Sequence, residues 1–268
     1  MNARLDLRNA DLRGTDLRLR NLEGADLTGA DLRECRADGA ALCRCRLQDV
    51  QTEGLQVDSY WHTALEQLAV LWSGAEAWNT YRRTRTPAIL AGADLSGIAL
   101  AGADLSDMVL NHVCLDNADL RSSQLTGVTL EGASLRGAHF NKATLAFSNL
   151  VGAVLRGADF AAANLRFLQM QDADISGASF LDSQIEGVDM LRAHGIGARF
   201  DGAELKGVLL NYARLAGSSF HQAHLTECSF IETDLSDASF EGAQLSDCVD
   251  MGSYALGTPF VPHKKGLL

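Results

Sequence analysis

The chain has 268 residues, enough for one large domain or two, and 47% hydrophobic with 21% charged residues excludes a disordered chain. A formal net charge of -11 disfavours nonspecific binding to nucleic acid or anionic membrane, both of which want a basic surface. No window approaches 18 apolar residues, the opening MNARLDLRNA lacks the apolar run of a secretory signal, and six Cys in so long a chain make no disulfide framework; the expectation is a cytoplasmic protein with reduced thiols and no membrane association.

In chain order, residues 1–57 repeat every five. Leu7, Leu12, Leu17, Leu22, Leu27 and Leu32 are followed by Leu42 and Leu47, with Ala37 a weak centre. A small residue stands two before the centre, as in Ala10, Ala25, Ala30, Cys35, Ala40 and Cys45, and the pattern fades near Val57.

In residues 58–87, DSYWHTALEQLAVLWSGAEAWNTYRRTRTP, the five-residue period vanishes. Trp61, Leu65, Leu68 and Trp72 fit one helical face with Leu71 beside them, and Ser73-Gly74 reads as a turn in which Ser73 caps the next element. Ala75, Trp78 and Tyr81 or Arg82 predict a second, shorter helix stopped by Pro87.

From Leu90 the period of five returns in a shifted frame and holds to Leu245, with Leu, Phe, Met or Ile at every centre except Gly195, where a local distortion with His194 and Ile196 projecting is expected. Asp or Asn often precedes the centre and Gly often ends the unit, as in AGADLSGIALAGADLS. A second period lies on the first: Phe140, Phe160, Phe180, Phe200, Phe220 and Phe240 are twenty apart. If four five-residue units, each a short extended piece and a turn, close one square coil, those rings fall one above another at the strand spacing of about 4.8 Å. Centres and their small partners then point inward, Asp or Asn bonds turn amides, and backbone groups pair between coils. The last residues, 251–268, leave the register.

The unit A-[DN]-L-x-x resembles the pentapeptide-repeat family over roughly residues 5–57 and 88–250. The resemblance implies an all-β solenoid, a right-handed quadrilateral β-helix with four pentapeptides per coil, here with a short helical insertion. The stretch GAEAWNTYRRTRTP resembles a leader found before such tracts in bacterial proteins, G-x-E-A-W-N-x-[WY]-R-x-x-x-P, which implies that a second solenoid starts afresh at Ala88. The expected organisation is therefore a first repeat block (1–57), a leader (58–87), the main block (88–250) and a tail (251–268). An uncapped solenoid exposes strand edges and core. Two readings stand for the leader, a cap with linker or a partner-binding helical hairpin. Two stand for the tail as well: its Tyr254 or Phe260 covers the last coil, or it makes a homodimer contact as the C-terminal end does in dimeric relatives.

No catalytic motif appears: there is no HExxH, P-loop or G-x-S-x-G in a strand–turn–helix setting. His221 and His224 fall on either side of a coil corner, so they are not read as a metal pair. Cys35, Cys45, Cys228 and Cys248 take the small inward position; the last two are twenty apart, neighbours on adjacent coils, and are read as buried thiols in preference to a bridge. No active site, cofactor or metal is expected.

Function then lies on the faces of the rod. Residues 88–268 carry 21 Asp/Glu against 11 Lys/Arg, and from Glu227 to Asp250 there are seven acids and no base, including Glu227, Glu232, Asp234, Asp237, Glu241 and Asp247. Some pentapeptide-repeat relatives are acidic rods that resemble duplex DNA and bind DNA gyrase. Yet DNA as long as eight coils, roughly 39 Å, carries about 23 phosphates, more than twice the net charge of this block. Phe147 and Phe167 sit two after a centre, outward and on one corner, near Arg166; Val151, Leu191 and Ile231 follow their centres in one column of the next face, with Tyr212 nearby. The leading expectation is a non-catalytic scaffold that binds a protein partner through these apolar side chains, and the alternative is a topoisomerase-binding DNA mimic.

Overall fold

The structure, a computed structural model, describes residues 5–86 and 89–253. Each five-residue unit makes a two-residue turn followed by a short extended step. Four hydrogen bonds recur in the units of the main block. At Leu130 the centre N–H donates to Asn149 O one coil on (2.7 Å), Gly132 N donates to Val151 O (2.9 Å), Asn149 N donates back to Val128 O (3.0 Å), and Ala133 N closes the turn onto Leu130 O (3.0 Å). The extended steps therefore pair in parallel at intervals of twenty. On one face the ladder runs Asp94, Cys114, Ser134, Val154, Asp174, His194, Arg214, Asp234, and three further ladders complete the square. Where the ladder is most regular it forms a five-stranded parallel sheet, β1 (Asn164–Arg166), β2 (Gln184–Glu186), β3 (Glu204–Lys206), β4 (His224–Thr226) and β5 (Gln244–Ser246). The fold is a right-handed quadrilateral β-helix with four pentapeptides per coil.

The interior follows from the same arithmetic. Centres and the small residues two before them are buried along the main block until its last coil, and the burial alternates inward and outward along each extended step as a period of two requires. The six Phe from 140 to 240 form one continuous stack, with centroids 4.6–5.0 Å apart and planes within 6°. Phe230, from the opposite face, sets its edge against Phe220 and Phe240. Small polar residues at inward positions donate to carbonyls: Ser148 Oγ to Leu125 O (2.6 Å), Thr233 Oγ1 to Leu210 O (2.7 Å), Cys45 Sγ to Leu22 O (3.0 Å).

Gly195 does not distort the coil. Its N–H donates to Arg214 O (2.8 Å) and its carbonyl closes the usual turn from Ala198 (3.0 Å). The space of the missing side chain is taken by the centres above and below: a Cβ here would lie 2.7 Å from Leu215 Cδ2 and 3.0 Å from Ile175 Cγ1. His194 and Ile196 are exposed, but from regular outward positions. Restoring the repeat with Gly195→Leu is accordingly expected to destabilise, by about 1–3 kcal/mol of overpacking, when urea melts of the two proteins are compared. A gain in stability would mean that Ile175 and Leu215 withdraw freely.

In the first block three ladders form, beginning Asp6–Asp26, Asp11–Asp31 and Asp16–Arg36. The fourth face departs from the expected repeat, because α1 (Gly39–Cys43) replaces the turn and step around Ala40 and Leu42. Asp38 caps it, accepting from Ala40 N and Ala41 N, and the two successive alanines favour the helical turn. Leu42 still points inward. Gly39 lies against Trp61, whose Cβ would be 2.2 Å from an added Cβ, so this glycine admits the next helix.

That helix, α2 (Ser59–Trp72), buries Ala64, Leu68 and Leu71, with Trp61, Leu65 and Trp72 partly buried around them. Its N-cap is Asp58 and its C-cap is Ser73; α3 (Ala75–Arg82) starts from Gly74 at φ 99°, so Ser73 ends one helix and does not cap the next. Helix α3 ends at Arg82, ahead of Pro87, which with Ala88 lies outside the described residues. Three of its side chains complete the open edge of the first main coil. Asn79 accepts from Asp104 N (2.8 Å) and donates to Gly102 O (3.0 Å), Trp78 Nε1 donates to Asp104 O (2.7 Å), and Arg82 donates to Ser106 O (2.5 Å). Within the rod the equivalent groups of the next coil, Gln124 N, Gln124 O and Thr126 O, are paired by backbone. On this face the helix stands in for a missing coil.

Candidate interaction surface

At each corner of the main block the residue two after a centre takes a left-handed conformation, which glycine adopts freely and other residues adopt at a cost of about 1 kcal/mol or more. Phe147 (φ 57°) and Phe167 (φ 54°) occupy one such corner. Side chains at these corners lean toward the following coil, where a glycine leaves room: Asp107 leans over Gly127, His112 over Gly132 and Phe167 over Gly187, whose added Cβ would meet Phe167 Cδ1 at 2.7 Å. Phe147 has Phe167 in that place, and the rings stack at 5.2 Å and 15°. They are nevertheless 67% and 48% exposed. Arg166 stands next to this corner on β1, 3.6 Å from Glu186, which Lys206 also approaches at 3.9 Å.

The face beyond this corner is centred on Leu150, Met170, Met190, Leu210 and Phe230. Val151, Leu191 and Ile231 are half-buried in its outward column, and Tyr212 is exposed on its far corner. Leu209, Val249 and Met251, which sequence reading missed, are exposed on the same face. Of the ten exposed large apolar side chains among the described residues, seven (Ile89, Phe147, Phe167, Leu209, Tyr212, Val249 and Met251) lie on this face or its two corners, so the exposure is not scattered. The signal was available: the interval of twenty that joins residues of one column also places Leu209 two coils before Val249. Polar residues here bond within the face. Asn149 accepts from Val151 N (3.0 Å), Asp189 from Leu191 N (3.0 Å) and Gln171 Nε2 (2.8 Å), and Asn211 from Ile231 N (3.0 Å) and Ser229 Oγ (2.6 Å).

The acids are distributed differently. Glu227 and Asp247 share the corner column of Phe147 and Phe167, Glu232 is on the corner of Tyr212, Asp237 on a third corner, and Asp234 and Glu241 on two other faces. Asp234 accepts from Ser236 N and Oγ, a turn-forming role. These six of the seven acids at the C-terminal end therefore ring the rod instead of forming one face. Elsewhere in the main block several acids pair with arginines: Asp104–Arg82 (3.1 Å), Asp119–Arg121 (2.6 Å), Asp172–Arg192 (2.7 Å), Asp174–Arg156 (2.5 Å) and Asp201–Arg199 (2.9 Å).

Such pairing shifts ionisation. The guanidinium forks of Arg8, Arg13 and Arg18 hold Asp6, Asp11 and Asp16 down at about 2, and Arg192 and Arg121 lower Asp172 and Asp119 in the same way. A carboxylate depressed in the folded state adds stability above its unfolded value of about 3.9, and that stability is lost as pH falls through the folded value. The pairs are exposed and each is weak. The melting temperature is expected to change little through these groups from pH 7 to pH 5 and to fall between pH 4 and pH 2; equal melting at pH 7 and pH 2.5 would show that the pairs do not form.

His221 approaches Glu241 at 3.9 Å, and among the described residues no three His, Cys, Asp or Glu gather as a metal site. The cysteines are free thiols. The Cys228 thiol is pushed up by its hydrogen bond to Cys248 and by burial. Tyr254 and Phe260 of the tail lie outside the described residues. Among the described residues no helix is long and apolar enough to cross a membrane.

Known structures share this architecture. HetL, a pentapeptide repeat protein involved in heterocyst differentiation regulation from the cyanobacterium Nostoc, is 21% identical, with a TM-score of 0.61 over 95% of this chain and 88% of that one. A trypsin-treated form of QnrB1, a plasmid-mediated fluoroquinolone resistance protein, is 18% identical, with a TM-score of 0.50 over 60% of this chain and 88% of that one. No curated protein matches the chain in sequence. The pentapeptide-repeat family model matches eight copies, across residues 6–49, 88–127, 123–160, 138–177 and 213–249. With more than half of its length matched in that way and its coils built as described, the chain belongs to the pentapeptide-repeat family.

Proposed function

We propose that the protein is a non-catalytic scaffold that binds a protein partner through the face bordered by Phe147, Phe167 and Tyr212. The observation that carries this reading is the stacked, exposed pair Phe147–Phe167, two aromatic rings held at strained corners with no core of their own to fill. Aromatic side chains in such positions are the usual anchors of protein interfaces. A photo-cross-linking phenylalanine analogue placed at 147, 167 or 212 should give adducts with a common protein in extracts of the native cell. The same analogue at 196, exposed on another part of the rod, should give none. Adducts from 196 alone, or from no position, would remove the reading.

DNA mimicry is supported less well. It draws on the net charge, but the matched Asp–Arg pairs and the ringed C-terminal acids leave no continuous acidic track. Its test is gyrase supercoiling with and without a fluoroquinolone; no effect of micromolar protein removes it.

A further inference from the structure

Resting on the scaffold reading, we propose that the face centred on Leu150, Met170, Met190, Leu210 and Phe230 docks an amphipathic α-helix of about 16 residues whose apolar stripe is flanked by Lys or Arg. The backbone of the face is already paired. Leu150 N donates to Gln169 O, Met170 N to Asp189 O, Met190 N to Leu209 O and Leu210 N to Ser229 O, so no strand can add to it. Its polar side chains are also hydrogen-bonded within the face, as Asn149, Asp189 and Asn211 show. What remains for a partner is apolar area with few donors or acceptors on offer. An extended peptide laid there would leave its own N–H and C=O groups facing carbon, whereas a helix satisfies them internally.

The dimensions agree. Phe147 and Met251 are five coils apart, about 24 Å at 4.8 Å per coil, and a helix of about 16 residues covers that length. A helical turn of about 5.4 Å is close to the coil rise, so successive turns meet successive coils along Phe167, Leu191, Leu209, Ile231 and Met251. The two outward columns lie about 7 Å apart, within the roughly 10 Å width of a helix.

Charge selects among helices. Both rims of the C-terminal half are acidic, with Glu227 and Asp247 on one corner and Glu232 on the other, and no Lys or Arg occurs from Glu227 to Asp250. The flanking cations of the partner therefore belong over these last coils. A second copy is a poor occupant: its one helix of comparable length among the described residues, α2, contains Glu66 and no Lys or Arg, and its apolar face is already packed.

The probe is a fluorescent 16-residue peptide with leucines at i, i+3, i+4 and i+7 spacing and lysines beside them, titrated into the full chain at physiological salt. Binding with induced helicity is expected. Phe147→Ser with Phe167→Ser should weaken it at least tenfold, Leu209→Ser severalfold, and Ile196→Ser not at all, with circular dichroism confirming that each variant is folded. Glu227→Gln with Asp247→Asn should cost about threefold at low salt and little at high salt. A scrambled peptide that binds equally well, or a Phe147/Phe167 double variant that binds unchanged, overturns the proposal. So does a chain that is oligomeric until that double change makes it monomeric, because a second copy would then cover the face. Cross-links from 147 and 167 without peptide binding would refute the helix and leave the scaffold reading standing; absence of both refutes both.

Discussion

Phe180→Ala is expected to cost about 4 kcal/mol, the middle of the range for deleting a buried aromatic ring. Phe180 is fully buried and lies between Phe160 and Phe200 at 5.0 and 4.9 Å. Two effects add. The ring's transfer energy is lost together with two stacking partners, each worth about 0.5–1.5 kcal/mol beyond area. The cavity also cannot collapse, because coil spacing is set by backbone bonds such as Phe160 N to Ser179 O and Phe180 N to Arg199 O, both 2.7 Å. Phe180→Leu should cost far less, since Leu fills the same central position on the other faces and Leu120 precedes the stack in this very column. Phe240→Ala should also cost less, because Phe240 stacks on Phe220 from one side and lies near the end of the described rod. Urea denaturation followed by circular dichroism ranks the three. Hydrogen exchange adds a second reading, since in a rod whose coils touch only their neighbours the loss should open the middle first. If Phe180→Leu proved as damaging as Phe180→Ala, the stack would be more than filling.

The course of this stack was legible because two periods, five and twenty, act on the same residues. Once four units make a coil, residue number alone fixes face, column and direction for Phe147 as it does for Phe180. Three features escaped because they depend on something other than register. At Gly195 the lapse looked like a bend; Ile175 and Leu215, which are large enough to close the gap, remove the need for one. At Ala40 and Leu42 the spacing kept time while the backbone turned helical under the cap of Asp38. At Ser73 a capping residue type was read as an N-cap, although its backbone N–H ends α2 by donating to Ala69 O and Val70 O. The apolar face was half legible. Val151, Leu191 and Ile231 were seen because they follow centres, and Leu209 and Val249 were missed because they precede them, in a position that elsewhere holds Asp or Asn for turn bonding.

The leader offers the second large effect. Trp78→Ala is expected to destabilise the start of the main block by about 3–5 kcal/mol, because Trp78 is fully buried and its Nε1–H is the donor to Asp104 O. Asn79→Leu separates the hydrogen bonds from the packing: it keeps the size but leaves Asp104 N and Gly102 O to water, a loss of about 1–3 kcal/mol. Trp78→Phe should fall between, with the ring retained and the donor gone. Exposing the first coil also uncovers a strand edge, and such edges template association. Trp78→Ala should therefore aggregate on mild heating while the distal coils remain protected from hydrogen exchange. Trp61 and Trp72 sit in the same leader, so tryptophan fluorescence of the variant still reports on the cap while circular dichroism reports on the rod. The two transitions should separate, with fluorescence changing first. If Trp78→Ala kept the parent melting temperature and stayed monodisperse, α3 would be an appendage of the rod and not its first coil by proxy.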